Sequence, residues 1–255
     1  MAGSRCIDCL RIGVSPSAEL GPLPVYIADQ LALLDDVFTE ALVSSLMAVL
    51  DATDWNGLLP FVMGAAVKRS AELLQGFADL ARSRNCQAAL PILRAHLDTA
   101  MRLHGLWLVD DLDAYFKALA TGNVRGLTSR DGRKLHDRVL HEELSHHYPG
   151  LSEQYGELSG AVHLSTYAVA SHVRPAASGG FGLHLDPCDW ADVGVCAATI
   201  GFGHCSAVIA HMFSVLGSAA KSGEIQRVFQ PDGSRFSATP MPAWAASFVC
   251  QHGTK

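Results

Sequence analysis

The chain has 255 residues, of which 49% are hydrophobic and 17% are charged. This composition is typical of a folded globular protein rather than a disordered one, and the length suits one domain with a sizeable core. The net charge of -6 gives no overall attraction for DNA or for an anionic membrane surface. We therefore expect neither DNA nor a membrane among its partners.

The cysteines and the N-terminal sequence indicate the cellular compartment of the protein. Seven cysteines are an odd number, and several lie among apolar residues, which is typical of a reducing environment. The first 20 residues contain no apolar core of the kind that a secretory signal has. We expect a cytoplasmic protein with a loose arm at residues 1–23, which are rich in glycine, serine and proline.

Apolar residues recur at intervals of three and four along most of the chain, which predicts amphipathic helices. The pattern predicts helices over residues 24–50, 58–84, 86–120, 134–146 and 151–173, and an almost uncharged helix that ends near residue 220. Short alternating runs around a Ser-Gly-Gly turn predict a small β-hairpin near residues 174–186. The sequence therefore predicts one all-α, up-down helical bundle of five to six helices at 24–220. A tail at 221–255, with a short strand over 225–230, is expected to pack on it.

One segment leaves two interpretations open. Val193–Ala220 contains no Asp, Glu, Lys or Arg and is long enough to cross a bilayer. It also carries two histidines, four glycines and several small polar residues, which weaken its hydrophobicity. A helix that is apolar on all sides can equally be the central helix of a bundle. We favour the core helix, with a membrane segment as the alternative.

Two of the predicted helices carry polar side chains at helical spacing beside an apolar face. Tyr155, Ser159 and His163 lie at i, i+4 and i+8, and Arg94 and Asp98 lie at i and i+4. Buried polar groups need partners, so we expect the two sets to face each other. The chemistry is complementary, because arginine donates, aspartate accepts and histidine changes charge near neutral pH. These residues either form a network that locks the helices together, or bind a ligand, or are simply exposed to solvent.

The motifs of nucleotide cofactors and serine hydrolases are missing from the sequence. There is no G-x-x-x-x-G-K-[ST] loop, and Gly201-Phe-Gly203 falls inside the predicted apolar helix rather than after a strand. Gly156-Glu-Leu-Ser-Gly160 is not a nucleophile elbow, since no strand–helix alternation surrounds it. We expect no cofactor.

Glu143 and His146 have the Glu-x-x-His spacing that places a carboxylate and an imidazole on one helical face. Iron and manganese sites in helical bundles need this motif twice, and the chain has no second copy. Asp98 and His163 could complete such a site only by proximity. We predict no metal site and keep a metal-dependent bundle enzyme as an alternative.

The only markedly basic stretch runs from Arg125 to Arg138, and it makes Arg130 and Arg133 candidate ligand-binding residues. Arg130-x5-His136 fits the Arg-x(4–6)-His pattern of metal-independent ribonucleases. A chain with 12 histidines produces such pairs by chance. No arginine precedes His163 with four to six residues between them, because those positions are Leu158, Glu157 and Gly156.

The order of several motifs resembles a family of uncharacterised all-helical bacterial proteins. These have an Arg-x3-acid helix, a Tyr-x2-Leu-Ser-x3-His helix and then a short hairpin. The matching run is Arg69-x2-Glu72-Leu-Leu-x-Gly76, Ala89-x4-Arg94-x3-Asp98 and Tyr155-x2-Leu158-Ser159-x3-His163. That family is in turn similar to the HEPN (higher eukaryote and prokaryote nucleotide-binding) helical bundles.

The resemblance implies a bundle with a role in toxin–antitoxin systems, phage defence or RNA processing. We expect a homodimer that binds RNA or a nucleotide-like ligand, with Tyr155 and Ser159 among the binding residues. The alternative is a metal-independent ribonuclease, in which His163 is the general acid and base and Arg94 stabilises the phosphorane, with Asp98 beside them.

Overall fold

A computed structural model describes residues 22–52, 57–161, 173–175, 181–183, 188–229, 239–241 and 243–245. This part of the chain forms an all-α helical bundle, which confirms the predicted fold class. The predicted N-terminal arm, apart from residues 22–23, lies outside the described residues. So do His163 and most of the predicted tail.

The helices are α1 (Val25–Leu33), α2 (Thr39–Leu50), α3 (Leu59–Arg82), α4 (Cys86–His104), α5 (Leu112–Thr121), α6 (Asp137–His147), α7 (Ser152–Ala161) and α8 (Cys188–Lys221). The π-helical residues Leu34–Phe38 join α1 to α2. If these two helices count as one rod, the described residues contain seven rods, more than the five to six that the sequence predicts.

Two three-residue strands, β1 (Val173–Pro175) and β2 (Phe181–Leu183), pair antiparallel with Arg174 opposite Gly182. The residues that connect them, 176–180, lie outside the described residues. The hairpin that the sequence places near 174–186 therefore stays a prediction.

Helix α8 forms the centre of the bundle and contacts α1, α2, α3 and α4. Residues 201–213 of this helix are all buried. By length and composition, Gly194–Lys221 is the one helix in the described ranges that could cross a membrane, and 83% of its apolar window is buried within the protein. A central helix that is surrounded by other helices is apolar on all sides because it is shielded from water, as a membrane-spanning helix is.

The sequence predicts one long helix over 86–120, and this prediction is wrong because the chain turns between α4 and α5. A Cβ atom at Gly105 would meet the hydroxyl of Tyr115 and lie 2.6 Å from its Cζ, so glycine lets the α5 tyrosine pack against this backbone. Asp111 caps α5 by accepting a 2.9 Å hydrogen bond from the backbone N–H of Ala114. The apolar period continues across the turn, so periodicity alone does not reveal it.

The strand predicted over 225–230 is also wrong, since Ile225–Phe229 forms a 3-10 helix. Its apolar side chains are buried against the bundle. The indole Nε1 of Trp107 donates a 3.0 Å hydrogen bond to the backbone oxygen of Val228. This part of the chain therefore packs against α8 and against the turn that follows α4.

Helix α4 is the element around which the candidate site is built, because it contacts α3, α6, α7 and α8. It runs parallel to α8, as two contacts along the pair show. A Cβ atom at Gly194 would lie 3.0 Å from the Cys86 sulfur, and further along His96 lies 3.0 Å from Ser206. Helices α6 and α7 cover another side of α4 and contact each other.

Candidate ligand-binding site

Helices α4 and α7 bring Arg94 and Tyr155 into contact. The guanidinium carbon of Arg94 lies 4.7 Å from the centroid of the Tyr155 ring, which is a cation–π distance. Both side chains are half-buried. Within the described ranges the guanidinium of Arg94 forms no hydrogen bond and no ion pair. Its N–H groups are therefore available to a further partner.

Tyr155 also contacts α6, through His141. The two ring centroids lie 4.4 Å apart with the ring planes inclined by 27°. His141 Nε2 lies 3.2 Å from the backbone oxygen of Leu151 and 3.0 Å from the hydroxyl of Ser145. These contacts fix the orientation of the imidazole, so the tyrosine is held in place by both α4 and α6.

One turn along α4 from Arg94, Asp98 begins a chain of ion pairs. Arg102 lies 3.3 Å from Asp98 and 2.6 Å from Asp137 on α6, and Arg125 also reaches Asp137 at 2.6 Å. Burial acts to raise the pKa of Asp137, but the hydrogen bond from Arg125 and the charges of Arg102 and Arg125 outweigh it and lower the pKa. Asp98 is therefore paired with Arg102 rather than with Arg94, and the chain of ion pairs ties α4 to α6.

The two arginines of the basic segment are held by other parts of the protein. Arg130 binds Asp110 at 2.9 Å and the backbone oxygen of Phe229, and Arg133 binds Asp131 at 2.5 Å, Glu142 at 3.8 Å and Glu143. No contact among the described residues links Arg130 or Arg133 to Tyr155. Their charges are neutralised locally, and the structure does not bring them to the Arg94–Tyr155 pair.

The predicted metal ligands do not form a cluster in the described part of the chain. A carboxylate oxygen of Glu143 binds the guanidinium of Arg133, and His146 is exposed. In the described ranges, no three His, Cys, Asp or Glu residues are placed to hold a metal ion together. His163, the further imidazole of that hypothesis, lies outside these ranges.

His163 is also the last residue of the stripe of polar residues predicted from Tyr155, Ser159 and His163, so only Tyr155 and Ser159 of that stripe are described. Ser159 is half-buried on α7, one turn beyond Tyr155. Of the predicted site residues, the structure thus joins Arg94 with Tyr155 directly. It places Asp98 on the same helix as Arg94 with its carboxylate directed to Arg102.

The contribution of α6 was not predicted from the sequence. Asp137, His141 and Ser145 lie at i, i+4 and i+8, the same spacing that singles out the stripe on α7. This signal was present in the sequence. It was obscured because polar residues flank the buried pair Leu140 and Leu144 on both sides, and only the packing shows that His141 of this row stacks on Tyr155.

Comparison with known proteins adds no relative from which a function could be transferred. No family model, no curated protein and no solved structure matches the chain.

Proposed function

We propose that this is a HEPN-like helical bundle protein that binds a nucleotide-like anion on the face formed by α4, α6 and α7. Arg94 is the anion contact, and Tyr155 and Ser159 complete the binding surface. We also propose that the protein acts in a bacterial toxin–antitoxin or phage-defence system, that it forms a homodimer, and that it contains the predicted hairpin at 174–186.

The observation that carries the proposal is the state of the Arg94 guanidinium. Arg102 and Arg125 nearby are balanced by the two carboxylates of Asp98 and Asp137, whereas Arg94 stacks on a tyrosine and has no carboxylate partner in the described part of the chain. A half-buried guanidinium has lost part of its hydration, so an incoming anion gains a charge-assisted hydrogen bond at low desolvation cost. A planar guanidinium on an aromatic ring is also preorganised for a phosphate or a carboxylate.

No observation favours the ribonuclease alternative over this proposal. Its general acid and base, His163, lies outside the described residues. Arg130, Arg133 and Arg138, which would hold an RNA backbone, are each paired with a carboxylate. A backbone-binding surface needs cations that can release counterions from phosphates, and paired arginines supply less of that free energy.

The proposal is tested by titrating the full chain with AMP and with inorganic phosphate, using calorimetry or nuclear magnetic resonance. We expect Arg94→Gln to weaken binding of both by at least about tenfold, which corresponds to the loss of one charge-assisted hydrogen bond. Binding should also weaken as the ionic strength rises.

The matched control is Arg227→Gln. Arg227 is an exposed arginine that pairs with Glu224 at 3.4 Å and belongs to the 3-10 helix after α8. Equal affinities of the Arg94→Gln and Arg227→Gln variants would show that Arg94 does not bind the anion. Cleavage of total RNA that is lost in His163→Ala would favour the ribonuclease alternative instead.

A further inference from the structure

An apolar groove lies between α4, α7 and α8. It encloses about 100 Å³ and is lined by Leu90, Leu93, Gln154, Leu158, Gly194, Ala197, Ala198 and Gly201. Among these eight residues, Gln154 alone has a polar side chain. Leu93, Leu158 and Ala198 are buried in the floor, while Ala197 is exposed at the rim. A groove with this lining favours an apolar group, with one amide to orient it.

The Arg94–Tyr155 pair lies one helical turn from two residues of the groove lining. A Cβ atom at Gly201 would lie 3.1 Å from Leu93 Cδ2 and 3.7 Å from Gln154 Nε2, so the three helices meet closely there. Arg94 follows the lining residue Leu90 at i+4 on α4, and Tyr155 precedes the lining residue Leu158 at i−3 on α7. Residues at these spacings are neighbours on a helix surface, so the cation–π pair lies next to the apolar lining.

The thiol of Cys205 gives a second indication of this proximity. Its sulfur lies 3.9 Å from Gln154 Oε1. Burial raises the pKa of Cys205 to about 12, and the positive charge of Arg94 partly opposes that rise. The charge of Arg94 thus acts on a group that touches the Gln154 side chain of the groove.

We propose that the ligand of this site is a small amphipathic anion. Its anionic head binds the Arg94 guanidinium, and its apolar body, the size of one ring or a short branched chain, enters the groove between α4, α7 and α8. This inference rests on the proposed function, because it takes Arg94 as the anion contact and adds the apolar body. Arg94 has no carboxylate partner among the described residues, and its positive charge sets the charge of the head. The leucine, alanine and glycine walls set the apolar nature of the body.

The volume of the groove limits the size of that body. A closed cavity of about 150 Å³ with aliphatic walls holds a benzene molecule. A groove of about 100 Å³ that opens at Ala197 accepts a single ring with one edge toward solvent. Burying about 100 Å² of apolar surface corresponds to a gain in affinity of at least about tenfold.

The test compares benzyl phosphate with methyl phosphate, which share the anionic head and differ in the ring. Titrations of the full chain are followed by nuclear magnetic resonance. In the wild type we expect benzyl phosphate to bind at least about tenfold more tightly. In Ala197→Leu the new side chain fills the mouth of the groove, so the ratio should fall to about one while methyl phosphate binding is unchanged.

Ser218→Leu is the control, because Ser218 is an exposed residue of the same helix. It lies about six helical turns after Ala197, which is at the mouth of the groove. Its ratio should equal that of the wild type. Equal affinities of the two probes in the wild type, or a ratio that Ala197→Leu leaves unchanged, would overturn the groove proposal. The anion site would stand if Arg94→Gln still weakened methyl phosphate. If Arg94→Gln changed the affinity of neither probe, the proposed function itself would fail.

Discussion

His96 on α4 is a fully buried imidazole whose surroundings keep it neutral. Its ring stacks on Phe202 with centroids 4.2 Å apart and meets the edge of Phe38 at 5.8 Å. Nε2 forms a 3.0 Å hydrogen bond with Ser206, whereas Nδ1 has no hydrogen-bond partner in the described structure. Burial and the positive charge of Arg69 lower the pKa of His96 to about 3.

We therefore expect the free energy of unfolding to fall as the pH falls from about 6.5 toward 3. Within this window the unfolded chain binds a proton at His96 and the folded chain does not, so the full stabilisation is present only above pH 6.5. Each pH unit costs about 1.4 kcal/mol for such a histidine. Burial and the charge of His147 lower the pKa of His104 to about 3 as well, which adds a second contribution of the same sign. Urea unfolding between pH 4 and 7 measures the slope.

The double variant His96→Phe with Ser206→Ala isolates the His96 contribution. The phenyl ring keeps the stack on Phe202, and removing the serine hydroxyl avoids leaving it without a partner. The slope of stability against pH should decrease by about 1.4 kcal/mol per pH unit. A slope identical to that of the wild type would mean that His96 is protonated to the same extent in both states.

At the scale of the helices, the sequence predicts the two polar rows on α4 and α7, and the structure places Arg94 of the first against Tyr155 of the second. The row on α6 was not predicted, although its spacing is the same. Leu140 and Leu144 form the buried apolar pair of α6, but polar residues flank this pair on both sides, so the sequence does not indicate which polar row faces Tyr155. Which of several equivalent rows becomes a site is decided by tertiary packing.

The turn between α4 and α5 shows the same limit for an element boundary. Asp111 was a visible capping residue, but Gly105 lies in an apolar run that continues the helical period. What ends α4 is the Tyr115 ring of the next helix, whose hydroxyl donates a 2.8 Å hydrogen bond to the backbone oxygen of Arg102. A contact between residues ten positions apart in different helices leaves no periodic signal.

This contact predicts that Gly105→Ala is destabilising. The added methyl group would occupy the space of the fully buried Tyr115 ring, which is also held by its hydrogen bond. We expect a loss of about 1–3 kcal/mol in the free energy of unfolding, the usual cost of overpacking. Thermal or urea unfolding measures it.

Gly64→Ala is the matched control for this substitution. Gly64 lies inside α3, and a Cβ atom there would meet nothing within 4 Å. Alanine should therefore stabilise the protein by up to about 1 kcal/mol through helix propensity alone. If both variants lost the same stability, the steric account of the α4–α5 turn would be wrong.

At the scale of the whole molecule, α2 and the beginning of α3 carry exposed large apolar side chains. They are Val43, Met47, Leu50, Leu58 and Phe61, and we call them the apolar face. The three α2 residues lie at i, i+4 and i+7, on one side of the helix. No Lys, Arg or His occurs from residue 12 to residue 67, so the charged residues in this stretch of sequence are all acidic. Exposed apolar faces of this kind are typical of interaction sites, and we assign this one to the proposed homodimer.

If two copies meet on this face, Phe61→Ser should shift the monomer–dimer equilibrium toward monomer by at least about tenfold. Val25→Ser is the control, because Val25 and Phe61 are 74% and 75% exposed and Val25 lies at the start of α1. Added salt should strengthen the dimer by screening the acidic residues around the face. Sedimentation equilibrium measures both effects, and a wild type that stays monomeric at all concentrations would contradict the assignment.

The central claim, that Arg94 binds an anion, is tested most directly by the side-chain Nε–H resonance of Arg94 in an amide-type nitrogen–proton spectrum. The resonance is assigned by its disappearance in Arg94→Lys. Titration with methyl phosphate should move this resonance along a saturable curve, while the Nε–H resonance of the exposed Arg227 stays nearly still. Equal and linear movement of both resonances would show nonspecific charge screening and would contradict the account.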